Sequence, residues 1–192
     1  MARPKEFDRD TALQAAIELF CEHGYEGTST EQLLSAMKIS RQSMYDTFGD
    51  KRSLYLAALD RYNTESVSRL VADLKRAAPP LKALEETLLA FADRPETAAG
   101  KGCLGVSAVC EFGRADGEVA GLTDKAGRIL ASALESILEA GRKSGDIGAD
   151  VDIAEAVQFL GSSLSGMKVS ARGGTPHETL RGIARMAIRS LR

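Results

Sequence analysis

Apolar residues recur at three- and four-residue intervals along most of this chain, the spacing of one buried face of an α-helix. Leu13, Ala16, Ile17 and Phe20 predict a first helix from about Asp8 to His23, with Gly24 in a left-handed C-cap position and Tyr25 folding back on the last turn. Ser29 caps a second helix, with Gln32 at the capping-box position and Leu33, Leu34 and Met37 facing inward. Ser40 caps a third, which carries Met44, Tyr45 and Phe48 and ends at Gly49. Asp50 then caps a fourth that runs to about Lys75. Val67, Leu70, Val71 and Leu74 give its far half an apolar stripe, and its length comes to roughly 35 to 40 Å. Pro79 and Pro80 stop it.

Beyond the prolines, Leu81, Leu84, Leu88 and Phe91 mark an amphipathic fifth helix, followed by a loose segment over 93–101. A short sixth helix spans about Cys103 to Phe112. A long seventh spans about Glu118 to Lys143 and closes at Gly145. The eighth opens at Asp152, with Glu155 placed for capping, and carries Ile153, Val157, Leu160, Leu164 and Met167. The ninth opens on Thr175-Pro176-His177-Glu178, which reads as an N-cap, a proline at the first helical position and a capping-box glutamate. Its stripe is Leu180, Ile183, Ala184, Ala187, Ile188 and Leu191. No alternating strand pattern interrupts this order. The expected fold is all-α with about nine helices: a three-helix unit over residues 1–52, then a helical body over 53–192.

The two short helices narrow the function. They meet at a tight turn, and the second is tipped with arginine and glutamine, poor in large apolar groups and closed by Tyr45, Phe48, Gly49, Asp50 and Lys51. A helix-turn-helix that lies in a DNA major groove is written this way. Ser40, Arg41, Gln42, Ser43, Tyr45 and Thr47 fall on the exposed side of the third helix. Arginine grips guanine and glutamine grips adenine in bidentate fashion, so Gln42 and Ser43 are expected at bases, Arg41 at base or phosphate, and Tyr45 at phosphate through its hydroxyl. Thr28, Ser29 and Thr30 stand at a helix N-terminus, where amides and hydroxyls suit a phosphate. Plain capping by Ser29 is compatible with that. Arg3 and Lys5 suit an arm following the adjacent minor groove, or a free tail.

Composition bounds the rest. The 192 residues fit one or two small domains. Tryptophan is absent, so the core is aliphatic. No apolar run reaches the roughly 18 to 20 residues of a membrane span, and the N-terminus has no signal-peptide apolar segment. Three cysteines, an odd number, argue against a disulfide framework, and a reducing cytoplasm fits best. Net charge is −2, and positions 1–52 hold seven basic residues against nine acidic ones. Bulk electrostatics therefore counts against a DNA partner, and the reading rests on a few placed groups.

The remaining clusters are weaker. Cys103 and Cys110 lie seven apart, about 10 Å along a helix axis, too far for a disulfide that needs Cα atoms within roughly 7 Å. Buried cysteine otherwise acts as a small apolar residue, and Cys21 beside Phe20 reads that way. His23 and His177 are far apart, so no metal-ligand cluster is visible and no cofactor is expected. Gly100, Lys101 and Gly102 lack the upstream glycine and following hydroxyl of a phosphate loop. Arg181, Arg185 and Arg189 form a solvated stripe. Gly161, Ser162, Ser163, Ser165 and Gly166 permit close packing across a dimer seam, or line a cavity. No nucleophile–base pair supports an enzyme.

Three stretches together resemble the TetR family of bacterial transcriptional regulators: Leu19 to Tyr25, Thr28 to Thr30, and Ala36 to Lys51. The resemblance runs over Phe7 to Tyr62, and the body agrees in layout. It implies a homodimer joined through the eighth and ninth helices, whose stripe residues Ile153, Val157, Leu160, Leu164, Ile183, Ala187 and Leu191 are the expected interface. It implies a pseudo-palindromic double-stranded DNA operator, release by a small-molecule effector, and no membrane partner. It also places a phosphate contact at Lys51. The effector cavity is expected among helices 4 to 8, bounded by Val67, Leu70, Leu88, Phe91, Cys103, Val106, Cys110 and Ile129. One departure is Lys38, where the family's turn usually holds glycine. A left-handed non-glycine residue costs roughly 1 to 2 kcal/mol, and a phosphate contact by Lys38 would offset it. The segment Lys101-Gly102-Cys103-Leu104 and the Arg3-Pro4-Lys5 arm are similar to a branch that includes repressors sensing electrophiles or oxidants, with Cys103 as sensor. A helical dimerisation module without DNA binding is the remaining alternative.

Overall fold

A computed structural model describes residues 7–76, 79–93 and 102–192. The helices are α1 (Arg9–His23), α2 (Thr30–Met37), α3 (Arg41–Phe48), α4 (Lys51–Leu74), α5 (Pro80–Ala92), α6 (Leu104–Phe112), α7 (Gly117–Ser144), α8 (Ile153–Arg172) and α9 (His177–Arg189). No strand occurs among the described residues. Most starts follow from a side chain that takes an orphan amide of the first turn. Asp8 accepts from the Thr11 amide at 2.6 Å, Asp50 from Ser53 at 2.7 Å and Asp152 from Glu155 at 2.9 Å. Asp116 accepts from both Glu118 and Val119 at 3.1 Å.

Helix α9 corrects the sequence reading. It starts at His177, with Pro176 rather than Thr175 in the capping position and no side-chain cap. The Pro176 carbonyl instead accepts from the amides of Thr179 and Leu180. Glu178, freed from capping, bonds Arg181 and Arg185. Arg181 also reaches Asp93 at 2.6 Å, beyond the end of α5. The expected solvated stripe is thus partly a tie between α9 and α5, reinforced by the His177 Nδ1 contact with the Ala92 carbonyl at 2.6 Å. Gly24 also differs from expectation: its φ of 74° is positive but its ψ of −174° is extended, a region open essentially to glycine alone.

Two hydrophobic cores form, and α4 contributes to both. The first packs α1, α2 and α3 against Leu54, Tyr55, Ala58 and Leu59 of α4, Leu104 and Ala108 of α6, and Val119 of α7. It therefore continues past residue 52 into the body. The second gathers Leu70 and Leu74 of α4 with α5, α7, α8 and α9 around Leu84, Leu88, Leu134, Leu138 and Leu160. Helices α4 and α7 run side by side in the same direction. Arg52 meets Asp116 and Glu118 at 2.6 and 2.8 Å, and eight residues further along α4 Asp60 meets Lys125 at 3.0 Å.

Candidate DNA interface and effector cavities

The turn between α2 and α3 is made by Lys38 in the left-handed conformation, φ 56° and ψ 42°. It is the one non-glycine residue with positive φ among the described residues. Its amide faces the Leu34 and Ser35 carbonyls, so the turn keeps its ordinary geometry and carries the strain. The Ser29 hydroxyl and the Gln32 side chain complete the predicted capping box. Ser40 accepts from the Ser43 amide at 3.1 Å and pairs with its hydroxyl at 2.9 Å.

Helix α3 turns Met44 and Phe48 into the core and leaves Arg41, Gln42 and Tyr45 exposed, with Ser43 half-buried. Two acids that the sequence reading passed over hold this face in place. Glu31 of α2 bonds the Arg41 guanidinium, and Asp46 accepts from the Gln42 amide at 2.8 Å. A hydrogen bond from its own backbone amide, and then the one from Arg41, hold the Glu31 carboxyl below its usual range. Lys38, Ser29 and Ser40 are exposed and Thr30 is half-buried. Lys51, the first residue of α4, places its ammonium 4.2 Å from the centre of the Tyr25 ring, a cation–π contact. Thr28 is a correction: it is 1 % exposed, and its hydroxyl donates to the Gly24 carbonyl at 2.6 Å, closing the turn after α1 rather than facing outward. Arg3 and Lys5 lie outside the described residues.

The reading helices are clasped by the body through groups that no sequence spacing announces. Glu111, at the end of α6, accepts from the Tyr25 amide at 2.9 Å and the Glu26 amide at 3.1 Å. A side chain at Gly24 would collide with that carboxylate. Arg172, at the end of α8, donates to the Cys21 and Glu22 carbonyls at 3.0 and 2.9 Å, neutralising the α1 C-terminus. Behind these bonds Tyr55 meets Phe20 edge-on at 5.0 Å, and Tyr25 and Phe112 close around it. An acid from α6 and a base from α8 thus fix the end of α1 from two sides.

Two cavities lie beyond. The larger, about 630 Å³, runs between α4 and α7 and is lined by Val71, Leu74 and Lys75 on one side and Arg128, Ile129, Ser132, Ala133, Ser136 and Ile137 on the other. Of the expected lining only Ile129 is here. Leu70 of α4 and Leu88 and Phe91 of α5 are consumed by the second core, and Val67 lines neither cavity. The smaller, about 270 Å³, lies at the clasp and is lined by Cys103, Val106 and Cys110 together with His23, Glu111, Lys168 and Arg172. Cys103 is buried, Cys110 exposed and both thiols are free. Burial pushes the Cys21 thiol up to about 11. Among the described residues no three His, Cys, Asp or Glu side chains gather as a metal site, and no helix is long and apolar enough to cross a membrane.

Residues 12–58 match the family described as "Bacterial regulatory proteins, tetR family", and residues 77–186 match the "Tetracyclin repressor-like, C-terminal domain". The chain belongs to the TetR family. It is 31% identical over 191 residues to the HTH-type transcriptional repressor ComR of Escherichia coli, covering 97% of this chain and 90% of that one. It is 37% identical over 170 residues to the uncharacterized HTH-type transcriptional regulator YezE of Bacillus subtilis, covering 85% of each. A cysteine mutant of the TetR family regulator CifR, complexed with 26 bp double-strand operator DNA, superposes with a TM-score of 0.85 at 29% identity over the whole of both chains. This TetR-family chain is a DNA-binding transcriptional regulator and not an enzyme.

The α8 and α9 stripes behave differently from expectation in this TetR regulator. Val157, Leu160, Leu164, Ala187 and Leu191 are buried in the subunit's own second core, with Ile153 and Ile183 packed against it. What α8 presents outward is Gln158, Phe159, Ser162, Ser165, Gly166 and Val169, and what α9 presents includes Met186. Phe159, Val169 and Met186 are 46 %, 56 % and 58 % exposed. A Cβ added at Gly161, Gly166 or Gly182 would meet nothing within 4 Å.

Proposed function

We propose that this TetR-family regulator is a homodimeric repressor released from a pseudo-palindromic operator when a small molecule fills the cavity between α4 and α7. The observation that carries this reading is the double membership of α4. Its first half belongs to the core of the reading unit, and its last turns form one wall of the larger cavity. Only two residues separate it from the end of α3, so a ligand that moves its far half re-aims α3. Such a ligand shifts populations only as far as it prefers the displaced state. The reading unit is residues 1–52 and the body 53–192, coupled by the first core and the Glu111 and Arg172 clasp.

At the operator, Gln42 and Ser43 face bases, Arg41 leaves Glu31 for base or phosphate, and Tyr45, Ser29, Thr30, Lys38, Ser40 and Lys51 meet the backbone. The partner subunit joins through the outward faces of α8 and α9, where small residues flank Phe159, Val169 and Met186. Two α3 helices then enter successive major grooves, roughly 34 to 36 Å apart for one DNA turn. The likeness to a repressor over nearly the whole chain and to an operator-bound regulator supports both parts. Replacing Ala133 with Trp mimics an occupied cavity. It is expected to weaken operator binding at least tenfold while helix content and melting temperature hold. An unchanged affinity in a folded A133W protein would contradict release through this cavity.

A second reading is favoured by one observation: Cys103 and Cys110 line the same small cavity as Glu111 and Arg172. A bulky adduct on either thiol would push against the groups that hold the end of α1. Treating the protein with an alkylating agent is then expected to release operator in the wild type and not in the doubly substituted Cys103→Ser, Cys110→Ser variant. Equal release from both would remove the cysteines from the mechanism.

A further inference from the structure

The walls of the larger cavity are sorted by chemistry. Along α7, Ile129, Ala133 and Ile137 recur at intervals of four and form one apolar rail, facing Val71 and Leu74 of α4. Arg128, Ser132 and Ser136 recur at the same interval, one position earlier, and form a parallel polar rail. Lys75 stands at the end where α4 stops. Among the described residues no acidic side chain lines the cavity. Glu135, the acid of α7 within this stretch, is exposed and does not line the cavity, and Asp124, one turn before Arg128, is bonded by Arg114 at 2.7 Å. Arg128 and Lys75 have no salt-bridge partner within 4.0 Å among the described residues.

A merely solvated groove has no reason to line itself with two cations and no carboxylate. Because α4 and α7 run parallel, Arg128 and Lys75 lie toward opposite ends, with the apolar walls between them. From Arg128 to Ile137 the floor extends on the order of 13 Å, the length of an extended chain of about ten carbons. The volume lies within the roughly 300 to 1,000 Å³ of ordinary small-molecule sites.

We infer that the effector of this cavity is an anionic amphiphile: a medium-length apolar chain lying on Ile129, Ala133, Ile137, Val71 and Leu74, with a carboxylate or like anion at the Arg128 end. The guanidinium offers two parallel donors in the geometry that a carboxylate accepts. The Ser132 hydroxyl lies one helical turn along for a further bond. Lys75 at the other end raises the positive potential over the groove without forming that fork. This inference rests on the reading of the α4–α7 cavity as the effector site.

Isothermal titration of the purified full chain, without DNA, with decanoate and with decanol tests it. Decanoate is expected to bind at least tenfold more tightly than decanol at low ionic strength. The preference should fall to within about threefold in Arg128→Gln, and Ala133→Trp should abolish both. Equal binding of acid and alcohol, no binding of decanoate, or a preference that survives Arg128→Gln would overturn the inference. Operator binding measured separately keeps the two claims apart. Decanoate that binds with this preference and leaves the operator complex intact contradicts the release mechanism alone. Release by uncharged apolar compounds, with no preference for the acid, contradicts the ligand class alone.

Discussion

Lys38 carries a fold cost that the proposed phosphate contact would offset. Its left-handed backbone, φ 56°, costs roughly 1 to 2 kcal/mol relative to an extended or helical one, against about 0.5 to 1 kcal/mol that glycine would lose in chain entropy. Lys38→Gly is therefore expected to stabilise the protein by about 0.5 to 1 kcal/mol in denaturant unfolding. The same variant should weaken DNA binding and lower its salt dependence by about one phosphate contact per half-site. A variant that is neither more stable nor weaker on DNA would remove both roles. The caps Ser29, Ser40 and Asp50 were legible because a cap is a local contract between neighbours three residues apart. Thr28 was misplaced because its hydroxyl answers to Gly24, a turn whose path the local pattern does not dictate. Glu31 and Asp46 were passed over because carboxylates on a DNA-facing surface look like liabilities. In the free protein they bond Arg41 and Gln42, and the proposed DNA contacts would have to displace them.

Among the elements, the helices themselves were the easiest to read, since apolar spacing, caps and prolines all agree for α4, α5 and α7. Which helix face meets which neighbour was harder. On α4 the sequence offered Val67, Leu70, Val71 and Leu74 as one stripe. Tertiary packing split it, giving Leu70 to the core and turning Val71 toward the cavity. The joint between α4 and α7 was invisible, because Arg52 and Asp116 are distant in the chain. The hydrogen bond from Arg52, followed by the Val119 amide, holds the Asp116 carboxyl down at about 2. A carboxyl lowered in the folded state adds stability above its ordinary value, near 3.9. That stability fades as pH falls toward 2. Asp116→Asn keeps a capping side chain for α7 and removes only the charge. The melting-temperature gap between wild type and variant should be constant from pH 7 to about 4 and close between about 4 and 2. A gap that persists at pH 2 would show that charge is not its source.

For the whole molecule, the proposed dimer and switch depend on what each subunit leaves unburied. The apolar stripes of α8 and α9 looked like an interface, yet a 192-residue chain needs them for its own core. The signal for the outward face lay instead in the small residues from Gly161 to Gly166, whose open glycines let a second helix approach closely. Among the described residues the N-terminal unit is joined to this body through the shared α4, the first core, the pairing of Arg52 with Asp116 and Glu118, and the Glu111 and Arg172 clasps. Motion in the body therefore reaches α3 through packed contacts rather than a loose linker. The near-neutral charge gives little bulk attraction for DNA, so the proposed binding rests on the placed groups of α2, α3 and the head of α4.

Fluorescence anisotropy with the palindromic DNA upstream of the chain's own gene and with a scrambled duplex, over a series of salt concentrations, tests that claim most directly. The account predicts binding to the palindrome at least a thousandfold tighter than to the scrambled duplex. Gln42→Ala should cut the preference by about tenfold or more per half-site while leaving the scrambled duplex nearly unaffected. Equal affinity for both duplexes, or a preference untouched by changes at Gln42 and Arg41, would contradict it.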